Sequence, residues 1–369
     1  MGELKLANNL VAFRKERKIT QDTLAEFVGV SKASVSKWET GQCFPDITIL
    51  PKLAVYFNCT IDELMGYEAQ LGKEQIRKVY ETLAKRFGEE PLDAVLEECN
   101  KWIKDYYSCY PFLEQMSILL LNHHMLAKDE EQKNEILDLV ISLCKRICKN
   151  SEDITLCKEV ISVQAMANVC KNNPEEVFNL LGEKAHPYIG NDEMIAQAYQ
   201  MTGNVRMADE ITQVCMYQHL LGLIQALNMY LSMHMQEKEL SDKILTRMFQ
   251  IAKTFDLKEL NPNCYANIYY GAALTYSIGG EKEKAINMLR EFLDAFDILI
   301  KDYRIHGDEF FYLIDDFIES FQLGSQGVRE QKVVIESIVE ALQNPVFQPL
   351  FEEAEYKQLF AEYKNKYDL

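Results

Sequence analysis

Apolar residues recur at i, i+3, i+4 and i+7 along almost the whole of this chain, and alternating apolar–polar runs are nearly absent. That period confines the fold to packed helices, since the stripe it makes apolar belongs to a helix face and has no counterpart on a strand. Gly and Pro fall mostly between the runs, where turns would join the helices. The expected class is all-α. At 369 residues the chain is too long for one ordinary domain, and its 48% apolar residues can fill large cores. Met1-Gly2-Glu3-Leu4-Lys5 opens without the basic and apolar regions of a signal peptide, so the 10 Cys read as reduced thiols of a cytoplasmic protein.

Charge is unevenly divided. The net charge is −18, yet the first 66 residues are close to neutral and nearly all of the excess falls on the rest. Such a body repels a polyanion, so any contact with nucleic acid belongs to the head. One stretch, Ile211 to Gln236, carries no Lys, Arg, Asp or Glu and is long enough to cross a bilayer. Its Gln213, Gln218, His219, Gln225, Asn228, Ser232 and His234 are too polar for lipid. The stretch is expected to lie buried in protein, with no membrane partner.

Residues 1–66 read as five short helices. The first runs from about Leu4 to Lys18. Thr20 caps the second, which ends near Val28 before Gly29, and Ser31 caps the third, which closes at Gly41. The fourth covers about Ile47 to Phe57, and Thr60 caps a last turn through Met65. Leu24, Ala25 and Val28 face the same way as Val30, Val35 and Trp38, so helices two and three share a small core. The opposite face of helix three then presents Lys32, Ala33, Ser36 and Lys37, small and basic groups that suit a major groove. After Gly66-Tyr67-Glu68, an amphipathic run (Leu71, Ile76, Val79, Tyr80, Leu83, Phe87) reads as a connector helix.

At these residues the head resembles the Cro/repressor (XRE) helix-turn-helix family, a five-helix lambda-repressor-like domain. The resemblance spans about Leu6 to Gly66: Thr20-Gln21 through Gly41, then Pro45-Asp46 and Ile61-Asp62-Glu63-Leu64. It implies that Gln21 touches a phosphate and that Lys32, Ala33 and Lys37 read bases, with Ser31, Ser34, Ser36 and Thr40 beside them. It also implies an ion pair between Arg14 and Glu39. Ala33 stands where family members often carry Gln, so adenine readout by an amide is missing there, and its methyl could meet a thymine methyl instead.

From about residue 67 onward, roughly a dozen further helices are expected. Ala196 to Asn204 followed by Ala208 matches Ala272 to Gly280 followed by Ala285, with Tyr199 and Tyr276 each nine residues before the Ala. This resembles the tetratricopeptide repeat, in which a bulky residue, a tight turn and a small residue mark a helical hairpin. After Gly222, the residues Gln225, Asn228 and Ser232 draw an uncharged polar stripe, with Gln218 one step back. Amides of this kind match the donors and acceptors of an extended peptide, or they satisfy one another between packed helices. By the repeat resemblance, Asn267 and Tyr270 fall where such arrays line their concave face.

Other constellations are weaker. His123 and His124 point about 100° apart on one helix and cannot chelate one ion together. Cys144, Cys148, Cys157 and Cys170 lack a zinc spacing and read as structural thiols. The carboxylates Asp308, Glu309, Asp315, Asp316 and Glu319 read as solvated faces. No phosphate loop, dinucleotide fingerprint or catalytic signature is present, so neither an enzyme nor a metal or cofactor is expected. The expected organisation is a DNA-binding head (1–66), a connector (67–90) and a tetratricopeptide-like α-solenoid body (91–369). A Cro-type head on such a body resembles the bacterial cytosolic receptors for signalling peptides. That implies a homodimer on a pseudo-palindromic double-stranded operator, with a short peptide or protein ligand in the body. The competing reading is a helical scaffold that the head merely tethers to DNA.

Overall fold

Side-chain caps set three of the five helix starts of the head. In the computed structural model, which describes residues 5–67, 70–185, 187–301, 304–325 and 327–367, α1 is Leu6–Glu16, α2 Gln21–Val28, α3 Lys32–Glu39, α4 Leu50–Phe57 and α5 Ile61–Met65. Leu4 and Glu68, assigned above to the first helix and the connector, lie outside the described residues. The Thr20 hydroxyl accepts from the Thr23 amide at 3.1 Å and the Ser31 hydroxyl from the Ser34 amide at 3.2 Å. Thr60 and Glu63 form a reciprocal capping box. Gly29 joins α2 to α3 at φ +79°, and no atom lies within 4 Å of where a Cβ would stand. Backbone conformation alone, not crowding, therefore calls for glycine there. The fourth helix starts later than expected, at Leu50 rather than Ile47. Pro51 fixes its first turn, and Asp46 instead folds the preceding residues by accepting from the Thr48 amide at 2.8 Å. Leu6, Leu10, Leu24, Ala25, Val28, Val35, Trp38, Leu53, Phe57 and Leu64 are buried in one core, with Val30 at its margin.

The chain forms two compact units: the part up to Leu83 with Pro91–Leu181, and Ala84–Glu90 with the part from Gly182. The connector is α6, Lys73–Glu89, whose buried residues Ile76, Tyr80, Leu83 and Phe87 are those its period marks. The first unit continues through α7 (Leu92–Asp105), α8 (Tyr110–His123), α9 (Glu130–Asn150), α10 (Ile154–Cys170) and α11 (Pro174–Leu181). α8 is buried on nearly all sides, so it carries no amphipathic signal. The neighbouring imidazoles diverge: His123 Nδ1 lies 2.8 Å from Leu119 O and His124 Nδ1 2.7 Å from Leu121 O. Burial pushes the Cys144 thiol up to about 12.

The second unit comprises α12 (Asn191–Met201), α13 (Val205–His234), α14 (Lys238–Thr254), α15 (Leu257–Leu260), α16 (Pro262–Ile278), α17 (Lys282–Ile300), α18 (Asp315–Ser320), α19 (Gln331–Leu342) and α20 (Ala354–Lys366). Its two tetratricopeptide-like hairpins, α12–α13 and α16–α17, close alike. Asn204 N donates to Tyr199 O and Glu281 N to Tyr276 O, both at 2.9 Å, across glycines at φ +78° and +73°. Ala208 and Ala285 are buried beyond the turns. The α10–α11 turn closes the same way, Asn173 N to Asn168 O at 2.9 Å, with Asn172 at φ +54° in place of glycine. Asn hid that third hairpin from the sequence pattern. Between the two motif copies the chain does not form even 34-residue units, because α13 alone runs for 30 residues.

The uncharged stretch departs from expectation. Leu220, Ile224 and Leu231 of α13 are buried, but Leu223, Met229, Tyr230 and Met233 are 41–65% exposed. Its lack of charge is therefore not explained by burial alone. Among the described residues, no helix is long and apolar enough to cross a membrane, and no strand occurs.

Candidate functional site

Glu39, the last residue of α3, ties the head together. Its side chain is 5% exposed and accepts from Arg14 Nε at 2.5 Å, Arg14 Nη2 at 2.8 Å and Gln21 Nε2 at 2.9 Å. Arg14 Nη1 also donates to Ile19 O at 3.0 Å. One carboxylate thus links α1, α2 and α3 through a bidentate, charge-assisted pair. Burial pushes the Glu39 carboxyl up, but the bonds from Arg14 and Gln21 outweigh it and hold it below its ordinary value. The Gln21 amide, which the family resemblance assigns to a phosphate, is engaged with Glu39 here.

With Val35 and Trp38 buried, α3 turns Lys32, Ala33 and Lys37 to solvent, with Ser34 and Ser36 half-exposed beside them. Lys32 Nζ pairs with Asp22 Oδ2 at 2.7 Å, both side chains at least 60% exposed. An exposed pair of this kind contributes at most about 1 kcal/mol, so Lys32 can exchange it for a base edge with little loss. Ser31 and Thr40 are committed to the helix ends: Ser31 caps, and the Thr40 hydroxyl donates to Ser36 O at 2.9 Å. The face left over is short, small and cationic, the shape a major groove admits.

In the second unit, the Asn261 amide donates to the Tyr217 hydroxyl at 3.2 Å, while Leu231 and Asn228 lie against Gly271. α13 and α16 therefore run in the same direction, with Gln225 near the height of Asn267. Gln225, Ser232 and Asn267 are exposed and Asn228 half-buried. The Ser232 hydroxyl donates to Met229 O at 2.7 Å. Tyr270 does not join them: its hydroxyl donates to Ala341 O at 3.1 Å and accepts from Asn344 at 3.2 Å, and its ring packs on Phe292. A pocket of about 380 Å³ opens instead at the N-terminal end of the stripe, lined by Gln218, Ile211, Phe317, Asp192, Glu210 and Asp316. Its three carboxylates come from separate segments, a convergence that no local pattern announces. The carboxylates read as solvated do lie at the surface, Glu309, Asp315, Asp316 and Glu319 exposed and Asp308 half-exposed. Two of them also hold the local backbone: Asp308 accepts from the amides of Phe310 and Phe311, and Asp315, at the start of α18, from that of Gly307.

Fold and exposed face together define a helix-turn-helix head. Residues 10–64 match the helix-turn-helix family. The chain is 31% identical to the HTH-type transcriptional repressor RghR of Bacillus subtilis (strain 168) over 136 residues, 35% of this chain and 94% of that protein. It is 30% identical to the HTH-type transcriptional activator BcrR of Enterococcus faecalis over 83 residues, 21% of this chain and only 41% of that protein. The crystal structure of Bacillus thuringiensis PlcR with the peptide PapR7 and DNA aligns with 80% of this chain and 95% of its own, at TM-score 0.31 and 14% identity. The chain belongs to the helix-turn-helix transcriptional regulators.

Proposed function

We propose that this regulator binds a pseudo-palindromic double-stranded DNA operator in the cytoplasm as a homodimer, and that a short cationic or neutral peptide held by the body controls it. Residues 1–66 form the DNA-binding part, 67–90 the connector and 91–369 the body that dimerises and takes the ligand. The observation that carries the reading is the clamped α3: Glu39 is fixed by Arg14 and Gln21, so the exposed face of Lys32, Ala33 and Lys37 is presented rigidly. A preorganised reader binds without first ordering itself. The acidic pocket beside Gln218 favours a basic side chain or an amino terminus over an acidic ligand.

The test begins by selecting operator sequences from random duplex DNA with the full chain. Lys32→Ala with Lys37→Ala should lower operator affinity by about 10- to 100-fold for each base edge no longer bound and flatten base preference, whereas Gln21→Ala should weaken all sequences alike. Unchanged operator affinity in the lysine double variant would sink the assignment. Short basic peptides should change operator affinity in the parent and not in Asp192→Asn with Glu210→Gln. Recovery of one stoichiometric protein partner, with no peptide response, would favour the scaffold.

A further inference from the structure

Cys215 and His219 lie one turn apart on α13 and project from the same side of it. Glu193, in the first turn of α12, reaches across the hairpin to meet them. One donor atom from each of the three lies within 4.8 Å of the other two. His219 Nε2 is 3.6 Å from Glu193 Oε1, and the Tyr188 hydroxyl sits 3.1 Å from His219 Nε2 and 3.0 Å from Glu193 Oε2. The Tyr188 ring packs edge-on against the imidazole at 4.9 Å, which fixes the direction in which the ring nitrogen points. Cys215 is buried, while Glu193 and His219 are about half exposed, so the cluster has a dry side and a side open to solvent.

We propose that Glu193, Cys215 and His219 form a zinc site that joins α12 to α13. A sulfur, an imidazole nitrogen and a carboxylate oxygen together suit a borderline-soft cation, whereas calcium and magnesium prefer oxygen alone. Three protein donors leave a fourth tetrahedral position, which the Tyr188 oxygen or a water can take. Entry is from the exposed side, and the hydrogen bonds now joining Tyr188, Glu193 and His219 already hold the donors together. The site also bears on the pocket. Asp192 and Gln218, the immediate chain neighbours of Glu193 and His219, line it, so zinc would fix the spacing of its two walls. This inference stands on the cluster itself and does not depend on the head binding DNA or on a peptide ligand.

Cobalt(II) titration of the full chain tests it, because a cobalt–thiolate bond gives a near-ultraviolet charge-transfer band. One cobalt per chain should bind with that band, and equimolar zinc should abolish it. Cys215→Ser should lose the band, His219→Ala and Glu193→Gln should weaken binding at least tenfold, and Cys43→Ser, which alters an exposed thiol in the head, should change nothing. Glu193→Gln guards against a folding artefact, since that side chain is half exposed. A band retained in Cys215→Ser, or the absence of stoichiometric binding at micromolar metal, would overturn the site.

Discussion

The head and the second unit hold their polar contacts on different scales. In the head, capping bonds span three residues and the Arg14–Glu39–Gln21 cluster is assembled within 25. In the second unit, the bonds that position helices span far more: Tyr270 to Ala341, Ser277 to Val346, Leu313 to Gln213 and Lys282 to Glu353. The head also has longer bonds, Lys5 N to Met65 O and Asn9 to Glu63 O, but these too close within its own five helices. Bonds between distant segments make each helix of the second unit depend on several others, as the proposed control by a ligand requires.

The surfaces differ as well, and here the contrast is most easily broken. Met216, His219, Leu223, Ala226, Tyr230 and Met233 lie at alternating spacings of three and four along α13, and all are exposed to some degree. That is the pattern of a helix seam awaiting a partner. In a strongly acidic chain, the uncharged length of α13 is also where a second copy can approach with least repulsion. If the proposed dimer forms there, Leu223→Glu with Tyr230→Glu would bury unpaired carboxylates in it and should weaken it by about 4 kcal/mol, roughly a thousandfold. Analytical ultracentrifugation would read it, and an unaltered dimer would move the interface elsewhere.

Next in size is the clamp. Glu39→Ala strands Arg14, itself only 16% exposed, and frees Gln21. The loss should be about 3 kcal/mol, on the scale of a buried pair rather than a surface one. The chain's 2 Trp report separately on the head and on the helices that follow it in the first unit: Trp38 lies in the head core and Trp102 in α7. In a Trp102→Phe background, Glu39→Ala should lower the urea midpoint seen by Trp38. In a Trp38→Phe background, Trp102 should report almost no change. Equal shifts at both would mean the head does not melt independently.

These scales explain what can be read from the sequence. Thr20, Ser31, Gly29 and Gly41 act on their own neighbours, so the head helices are visible within a few residues, whereas the pairing of Glu39 with Arg14, 25 residues apart, is legible only through family resemblance. The late start of α4 is written in Pro51, a residue that favours the first turn of a helix. In the body the helices are legible but their faces are not. Ile211 to Gln236 reads alike whether its apolar residues meet a core or solvent, and only tertiary packing divides Ile224 from Leu223. The spacing of Cys215 and His219 is in plain view as i, i+4. Glu193, which gives that pair a third donor, arrives from another helix. Tyr270 shows the converse: its position on the repeat points to a groove, and a segment some seventy residues later occupies its hydroxyl.

The smallest expected effect concerns a polar group inside the first unit, where the body resembles the head in burying charge but lacks the head's solution. Glu114 on α8 is 6% exposed and, among the described residues, has no basic partner comparable to Arg14; it accepts instead from the Gln115 amide at 3.3 Å. Burial, reinforced by the charge of Glu159, pushes its carboxyl up from 4.5 to about 7. A carboxyl whose pKa rises on folding binds its proton more tightly in the folded chain. Its stabilising contribution is therefore complete below about pH 4.5, falls as pH rises toward 7, and is gone above that. Glu39 has the opposite sign: its pKa is lowered on folding, so its contribution is present above its unfolded value and lost in acid. Glu114→Gln should flatten the loss in the body, raising stability at pH 8 by on the order of 2 kcal/mol while changing little at pH 4.5. Urea melts followed through Trp102, in the Trp38→Phe background, would measure it at both pH values. If Glu114→Gln gains nothing at pH 8, a buried cation or water supports that carboxylate, and the body handles its internal charge much as the head handles Glu39.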